Sequence, residues 1–424
     1  MGHVVNKDKE HRLLQRRLDG MVTGAPASPA LMQILKLLFS AEEAALARRI
    51  PGRPTAVRRL AQTLDMPAEA LDEKLTELAA RGVVLDFYHR GRRYAMLPPV
   101  VVGFFEFVFM RARDDLPMAE LAALFDEYMY SDGAFAHAVF QGQTQLGRSL
   151  VREEALPDDD HTEVLDWERA SNLVENASAI GVSMCACRHK AMHLGHACDA
   201  PMEVCMTLNA AVDSMARNGI ARKVSKAEGM RILEESKAAG LAQTGDNVQR
   251  GVTYICNCCG CCCGMMNAIT KFDMPHAVVS SNWITEVDAA ACNGCGKCAA
   301  ACPVHAIEMQ SIEDGKRRKR AVVDAERCLG CGVCYGACNT GGIRLRPRER
   351  RVFTPESTYT RVVNMAIERG KLAELIFDDP DSLSYRTVGR VLRVLERTPP
   401  AKAAMAVKPL RSTFINMLLK GAGA

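Results

Sequence analysis

Apolar residues between positions 28 and 99 recur at helical spacing: Leu31, Ile34, Leu35, Leu37 and Leu38, then Ala45 and Leu46. Pro51-Gly52-Arg53-Pro54 interrupts them. A short helix is predicted over 55–64 and a longer one over 68–81, with Pro67 at its start and Gly82 at its end. Segments 83–88 and 94–97 then flank the basic turn His89-Arg90-Gly91-Arg92-Arg93, which reads as a hairpin. From 100 to 182 the pattern is helical, with Phe104, Phe105, Phe107, Val108 and Phe109 as core candidates. Asp158-Asp159-Asp160 reads as a solvated loop, and no catalytic constellation stands in this stretch. Helices return at 359–377 and 382–397, before Pro399-Pro400. The tail, 412–420, is amphipathic through Phe414, Ile415, Met417, Leu418 and Leu419. It is expected to pack on its own chain, with peripheral contact to a partner or a membrane surface as the other reading.

The three helices and hairpin of 28–99 resemble a winged helix, by pattern rather than by motif. A helix that reads bases presents Arg, Lys, Asn or Gln to the groove. The helix in that position carries Glu69, Asp72, Glu73 and Glu77 against Lys74 and Arg81, and carboxylates facing phosphates are repelled. Only the turn, with Arg90, Arg92 and Arg93, is basic. A protein-docking or structural role is therefore expected here, and nucleic acid is not the expected partner.

Composition adds a limit and a signal. The 424 residues are 48% hydrophobic and 25% charged, which excludes a disordered or fibrous chain and gives room for several domains. The formal charge of +4 is too small to imply nucleic-acid binding. All 18 cysteines lie between Cys185 and Cys338, many at gaps too tight for bridging. That placement favours metal-ligand thiols in a reducing compartment over a disulfide framework. The first twenty residues contain no apolar signal-peptide core, and the longest apolar stretch, 98–110, is interrupted by Glu106 and too short to span a bilayer. A cytoplasmic location is expected.

Two runs share one spacing. Cys292-x-x-Cys295-x-x-Cys298-x-x-x-Cys302-Pro303 is followed 36 residues later by Cys328-x-x-Cys331-x-x-Cys334-x-x-x-Cys338. The repeat extends outward, since Val287-Asp288-Ala289 matches Val323-Asp324-Ala325. Gly294, Gly296, Gly330 and Gly332 let backbone N–H groups approach cluster sulfurs. The segment 280–346 resembles a bacterial ferredoxin domain with two [4Fe–4S] clusters. The resemblance implies one cluster on Cys292, Cys295, Cys298 and Cys338, and the other on Cys328, Cys331, Cys334 and Cys302. Asn339 departs from the family, where a proline usually stands; the ligands are untouched, but the nearby potential is open to change. Zinc fits two complete four-cysteine runs less well. The basic run 316–320 between them reads as a solvated hairpin tip, or as a handle for an acidic redox partner.

Ten further thiols lie upstream: Cys185, Cys187, Cys198 and Cys205, then Cys256, Cys258, Cys259, Cys261, Cys262 and Cys263. Six thiols within eight residues are not a packing solution, and they cannot all bind one cluster. The Cys185-x-Cys187-Arg188 and Cys256-Asn257-Cys258-Cys259-x-Cys261-Cys262-Cys263 elements resemble a module of iron–sulfur proteins of anaerobes, which implies at least one more Fe–S cluster and no substrate. Which four bind is left open, and a thiol–disulfide couple is the alternative. Arg188 is a candidate donor to a cluster sulfide, against an ordinary surface ion pair. The Cys258-Cys259-Gly260 element is similar to heterodisulfide reductase segments, but those come in pairs and only one stands here. His189, His193 and His196 read as a surface cluster without a ligand role, although their spacing suits a metal.

No phosphate loop, dinucleotide fingerprint or nucleophile elbow is found. The expected fold is multidomain α+β, mostly helical, with an N-terminal segment (1–27), a winged-helix-like domain (28–99), a helical connector (100–182), a cysteine-rich module (183–279), a two-cluster ferredoxin domain (280–346) and a helical tail (347–424). The expected function is electron relay between donor and acceptor proteins through at least three [4Fe–4S] clusters, as an electron carrier or as the electron-transfer subunit of an oxidoreductase. Substrate reduction at the cysteine-rich module and a cluster-based DNA-binding redox sensor are the alternatives.

Overall fold

The computed structural model describes residues 8–156, 165–314 and 317–377. The helix expected at 382–397, the tail at 412–420 and the acidic loop 158–160 lie outside the described residues, as does part of the basic run 316–320. The architecture is mixed α/β. Contacts divide it into two units, Met1–Phe105 with Asp115–Thr144 and Val362–Ala424, and Glu106–Asp114 with Gln145–Arg361. Among the described residues no helix is long and apolar enough to cross a membrane.

In the first unit, Ser28 caps helix Pro29–Leu38 by accepting from the Leu31 N–H. Ser40 and Glu43 close a reciprocal capping box on helix Ala41–Ala47. Leu31, Ile34, Leu35 and Leu38 are buried along one stripe, as their spacing requires. Next come β1 (Thr55–Ala56), helix Val57–Leu64, helix Ala68–Arg81, β2 (Leu85–His89) and β3 (Arg92–Met96), the strands pairing antiparallel in the order β1-β3-β2. Helix Ala68–Arg81 buries Leu71, Leu75 and Leu78, exposes Glu69, Glu73 and Glu77, and ends at Gly82 with φ 88°. Helices Met118–Tyr130 and Ala134–Phe140 complete this part of the unit, with Phe125 against Phe104 and Phe105.

The second unit contains a six-stranded antiparallel sheet. Its strands are β4 (Gly147–Ser149), β5 (Ile180–Met184), β6 (Glu203–Leu208), β7 (Arg222–Val224), β8 (Ala242–Asp246) and β9 (Tyr254–Cys258), in the order β4-β8-β9-β6-β5-β7. Val174, Ile180, Val182, Met206, Leu208, Leu233 and Ile255 form its core with parts of helices Ala170–Glu175 and Lys226–Ala238. After the sheet come β10 (Trp283–Val287), β11 (Ile307–Asp314), β12 (Arg317–Val323) and β13 (Ile343–Pro347). β10 pairs with β13 and β11 with β12, so each half of the sequence repeat pairs its strands with those of the other half. The buried pair Arg148–Glu168, at 2.5 Å, links the sheet to this repeat, because the same Glu168 oxygen accepts from the Asn282 N–H at 2.9 Å and from its amide at 3.1 Å.

Candidate metal centres

The interleaved strand pairing sets the geometry of the repeat. It brings Cys338, at the end of the second run, to the cavity lined by Cys292, Cys295 and Cys298, with Met309 and Ile343 among its walls. Cys302, from the first run, stands among Cys328, Cys331 and Cys334, close enough for their charges to act on one another. Gly294 and Gly330, equivalent positions in the two runs, have φ of 75° and 64°. A side chain there would also strike backbone: a Cβ would lie 2.3 Å from the Lys319 carbonyl oxygen in one case and 2.0 Å from that of Trp283 in the other.

Donors converge on these sulfurs. The Ala306 N–H donates to Cys302 Sγ at 3.2 Å. The Thr285 hydroxyl lies 3.3 Å from Cys334 Sγ and accepts from the Cys328 thiol at 3.6 Å. Burial pushes the Cys331 thiol up and that of Cys334 up to about 12, with neighbouring thiols adding to the effect. At Cys338 burial is outweighed by the Thr340 hydroxyl and nearby backbone N–H groups, which hold the thiol below its usual range. Thiols converging on a cavity with hydrogen-bond donors and apolar walls suit a cubane, which takes the place of their protons. Of the side-chain partners, Thr340 stands only two residues after Cys338. Thr285 is more than forty residues from the sulfurs it meets.

The ten upstream thiols separate into two groups. Cys198, Cys259, Cys261 and Cys262 have their four sulfurs within 4.8 Å of one another. The other group is assembled at the sheet. β6 pairs with β9 through Met206 and Ile255, which brings Cys205 beside Cys256. Cys256 also meets Cys258, two residues along β9. Cys258 meets Cys263 and the Thr244 hydroxyl, the latter at 3.4 Å. Cys263 meets Cys187, in the first turn of helix Ala186–His193, while Cys185 immediately precedes that helix, near Cys187 and Cys205.

Electrostatics differ between the groups. Hydrogen bonds from the Cys262 thiol and N–H, with Arg188 beside it, draw Cys259 down to about 4 against the effect of burial. Cys258 is drawn down to about 6 by Cys256 and Cys263. Cys187, which donates to Cys263, and Cys256, which donates to Cys205 and Cys258, are pushed well up, with burial acting in the same direction.

Arg188 is fully buried rather than in a surface ion pair. Its guanidinium donates to the Pro201 carbonyl, to that of Asn257 at 3.5 Å, and to the sulfurs of Cys198 and Cys259. The histidine expectation needs correction at one position. His189 is buried, with Nδ1 2.7 Å from the Phe109 carbonyl oxygen and Nε2 3.2 Å from His193 Nε2. Phe109, on the segment that precedes the sheet, packs edge-on against both rings.

Residues 291–342 match the 4Fe-4S dicluster domain family. Neither the comparison with curated proteins nor the comparison with solved structures finds a match. The matched domain and the upstream cysteine group together support an iron–sulfur redox role.

Proposed function

We propose that this protein is a polyferredoxin-like electron carrier. It relays single electrons between a donor and an acceptor protein through two [4Fe–4S] clusters in the repeat and at least one further cluster on the upstream thiols. In this reading Cys292, Cys295, Cys298 and Cys338 hold one cluster, and Cys302, Cys328, Cys331 and Cys334 the other. A [4Fe–4S] cluster supplies reversible one-electron transfer. The chain's own part is to ligate it, donate to its sulfurs and set the distance to the next centre.

The observation that carries the relay is the contact between Gly260 and Pro303. A Cβ on Gly260 would lie 2.7 Å from the Pro303 carbonyl oxygen. Cys259 and Cys261 flank that glycine, and Cys302 precedes that proline. Upstream thiols and a ferredoxin ligand are thus neighbours across a backbone contact, the arrangement that short electron hops require.

A cytoplasmic location and redox proteins as partners belong to the same proposal. The order of helices, β1 and the β2–β3 hairpin in the first unit favours the winged-helix reading of 28–99. Arg93 of the hairpin is engaged by Asp72 at 2.8 Å and Asp86 at 2.9 Å, which takes its charge away from phosphates and favours protein docking over DNA.

The test is iron and acid-labile sulfide per chain in protein purified without oxygen, followed by a redox titration monitored by electron paramagnetic resonance. At least about 12 iron with matching sulfide, and a third cluster signal, is expected. About eight iron and two signals would refute the third cluster. Tight sequence-selective DNA binding would replace the carrier reading with the sensor.

A further inference from the structure

The Cys198, Cys259, Cys261 and Cys262 group has the size of a site for one ion. Its sulfurs all lie within 4.8 Å, with Cys261 to Cys262 at 3.7 Å and Cys262 to Cys198 at 4.0 Å. Four thiolates at about 2.3 Å from one tetrahedral ion stand about 3.8 Å from each other. A cubane places each thiolate on a different iron, at the outer corners of a larger core, and holds the sulfurs further apart. The chain supplies its own comparison: the eight thiols of the matched 4Fe-4S domain form no group this tight among the described residues.

The surroundings fit a tetrathiolate. Four thiolates around a divalent ion carry a net charge of −2. Arg188, buried and held by two carbonyls, places its positive charge between Cys185 of the sheet group and this one, and its hydrogen bonds to sulfur go to Cys198 and Cys259. The Cys262 N–H donates to Cys259 Sγ at 3.4 Å, and the Cys198 N–H donates to the Cys262 sulfur. Outer donors of this kind orient metal-bound sulfur.

We propose that Cys198, Cys259, Cys261 and Cys262 form a mononuclear tetrathiolate centre for one thiophilic divalent ion, zinc or ferrous iron, with Arg188 as its buried counter-charge. These two ions share tetrahedral four-sulfur chemistry. Binding forms four metal–sulfur bonds and releases to solvent the protons the thiols still carry, with no change in oxidation state. The inference rests on the upstream thiols being ligands, and it leaves the third cluster to the sheet group of Cys185, Cys187, Cys205, Cys256, Cys258 and Cys263. Zinc would fasten the 259–263 loop to the segment that carries Cys198; iron would add a one-electron site beside Pro303.

The experiment compares metal and sulfide per chain in the full-length protein, Cys261→Ser and Cys198→Ser, all purified without oxygen. Each variant is expected to lose one zinc or one iron with sulfide unchanged. Loss of about four irons together with four sulfides would make the site a cubane and overturn the proposal; so would variants that lose no metal. X-ray absorption at the zinc edge and Mössbauer spectroscopy of the unaltered protein keep the test open if the variants do not fold. Four sulfurs at about 2.3 Å around zinc, or a mononuclear high-spin ferrous tetrathiolate, support the site, and the absence of both refutes it. Total sulfide separates this outcome from the relay: one mononuclear ion with sulfide for only two cubanes removes the third cluster and leaves this centre standing.

Discussion

Gly260 lies so close to Pro303 that an added methyl group would meet the proline backbone at 2.7 Å for the carbonyl oxygen and 3.0 Å for Cα. Neither neighbour can rotate away, because both are main chain. Gly260→Ala must therefore separate the cysteine loop from the 4Fe-4S domain or strain one of them. Overpacking of this kind costs about 1–3 kcal/mol. Chemical denaturation followed by cluster absorbance should show an earlier midpoint at unchanged iron content. An unchanged midpoint would mean that the two segments are not held together in solution. The same contact bears on the departure at Asn339. Pro303 is packed on Gly260, whereas Asn339, its counterpart in the second run, is exposed.

Arg148 and Glu168 are both fully enclosed. Glu168 gives one oxygen to Arg148 and to both donors of Asn282, and Arg148 also donates to the Thr354 hydroxyl at 2.8 Å. Burial pushes the arginine pKa down while Glu168 opposes it. Removing the carboxylate leaves a buried charge without its partner, which costs about 3–5 kcal/mol. Glu168→Ala is expected to lose that much in denaturant unfolding of the second unit. Glu168→Gln keeps an acceptor for Asn282 and should be the milder variant. A loss below about 1 kcal/mol for the alanine would show that water reaches the guanidinium.

The thiols of the repeat were legible because the chemistry is written twice at one spacing, with its flanks. The partition of the upstream ten was not. It depends on β9 carrying Cys256 beside Cys205 and Cys258 beside Cys256, while Cys259, the next residue, leaves the strand for the Cys198 segment. Nothing local marks that exit. The sheet was also hidden. β4 is only Gly147-Arg148-Ser149, fully buried, with an arginine at its centre and no apolar alternation. Its partner β8 lies about a hundred residues away and includes Thr244, Gly245 and Asp246. Asp246 is buried against Arg361, a pair that composition and periodicity cannot announce. The helical stripe of 28–38 was readable because its burial follows from its own spacing, and Ser28 caps its helix from the preceding position.

Glu43 sets an acid limit on the first unit. Burial alone would raise its pKa, but the Ser40 N–H and the Arg81 guanidinium, at 2.7 Å and 2.9 Å, outweigh it and hold the carboxyl below its ordinary value of 4.5. A depressed folded pKa means stability that is fully present above the unfolded value and lost as pH falls through the folded one. Thermal unfolding of the first unit should therefore be insensitive to this group near neutral pH and weaken below about pH 4.5. Glu43→Gln should cost about 1 kcal/mol or less at pH 7 and flatten this part of the acid limb. An acid limb as steep in the variant as in the parent would assign the loss to other carboxylates.

The proposed exchange of fourth ligands between the two runs makes opposite predictions for two substitutions that look equivalent in sequence. If each run held its own cluster, Cys338→Ser would damage the cluster of Cys328, Cys331 and Cys334. The interleaved pairing of β10 with β13 and of β11 with β12 instead carries Cys338 to the cavity of Cys292, Cys295 and Cys298. Cys338→Ser should thus lower iron by up to about four and remove the signal that Cys295→Ser removes. Cys302→Ser should remove the signal that Cys331→Ser removes. The double variant Cys295→Ser/Cys338→Ser should lose no more than about four irons in total, because both changes fall on one cluster. A loss well beyond about four irons in that double variant would refute the exchanged ligation and return each run to its own four cysteines. The assay needs only iron, sulfide and low-temperature electron paramagnetic resonance, so it reads ligation without any partner protein.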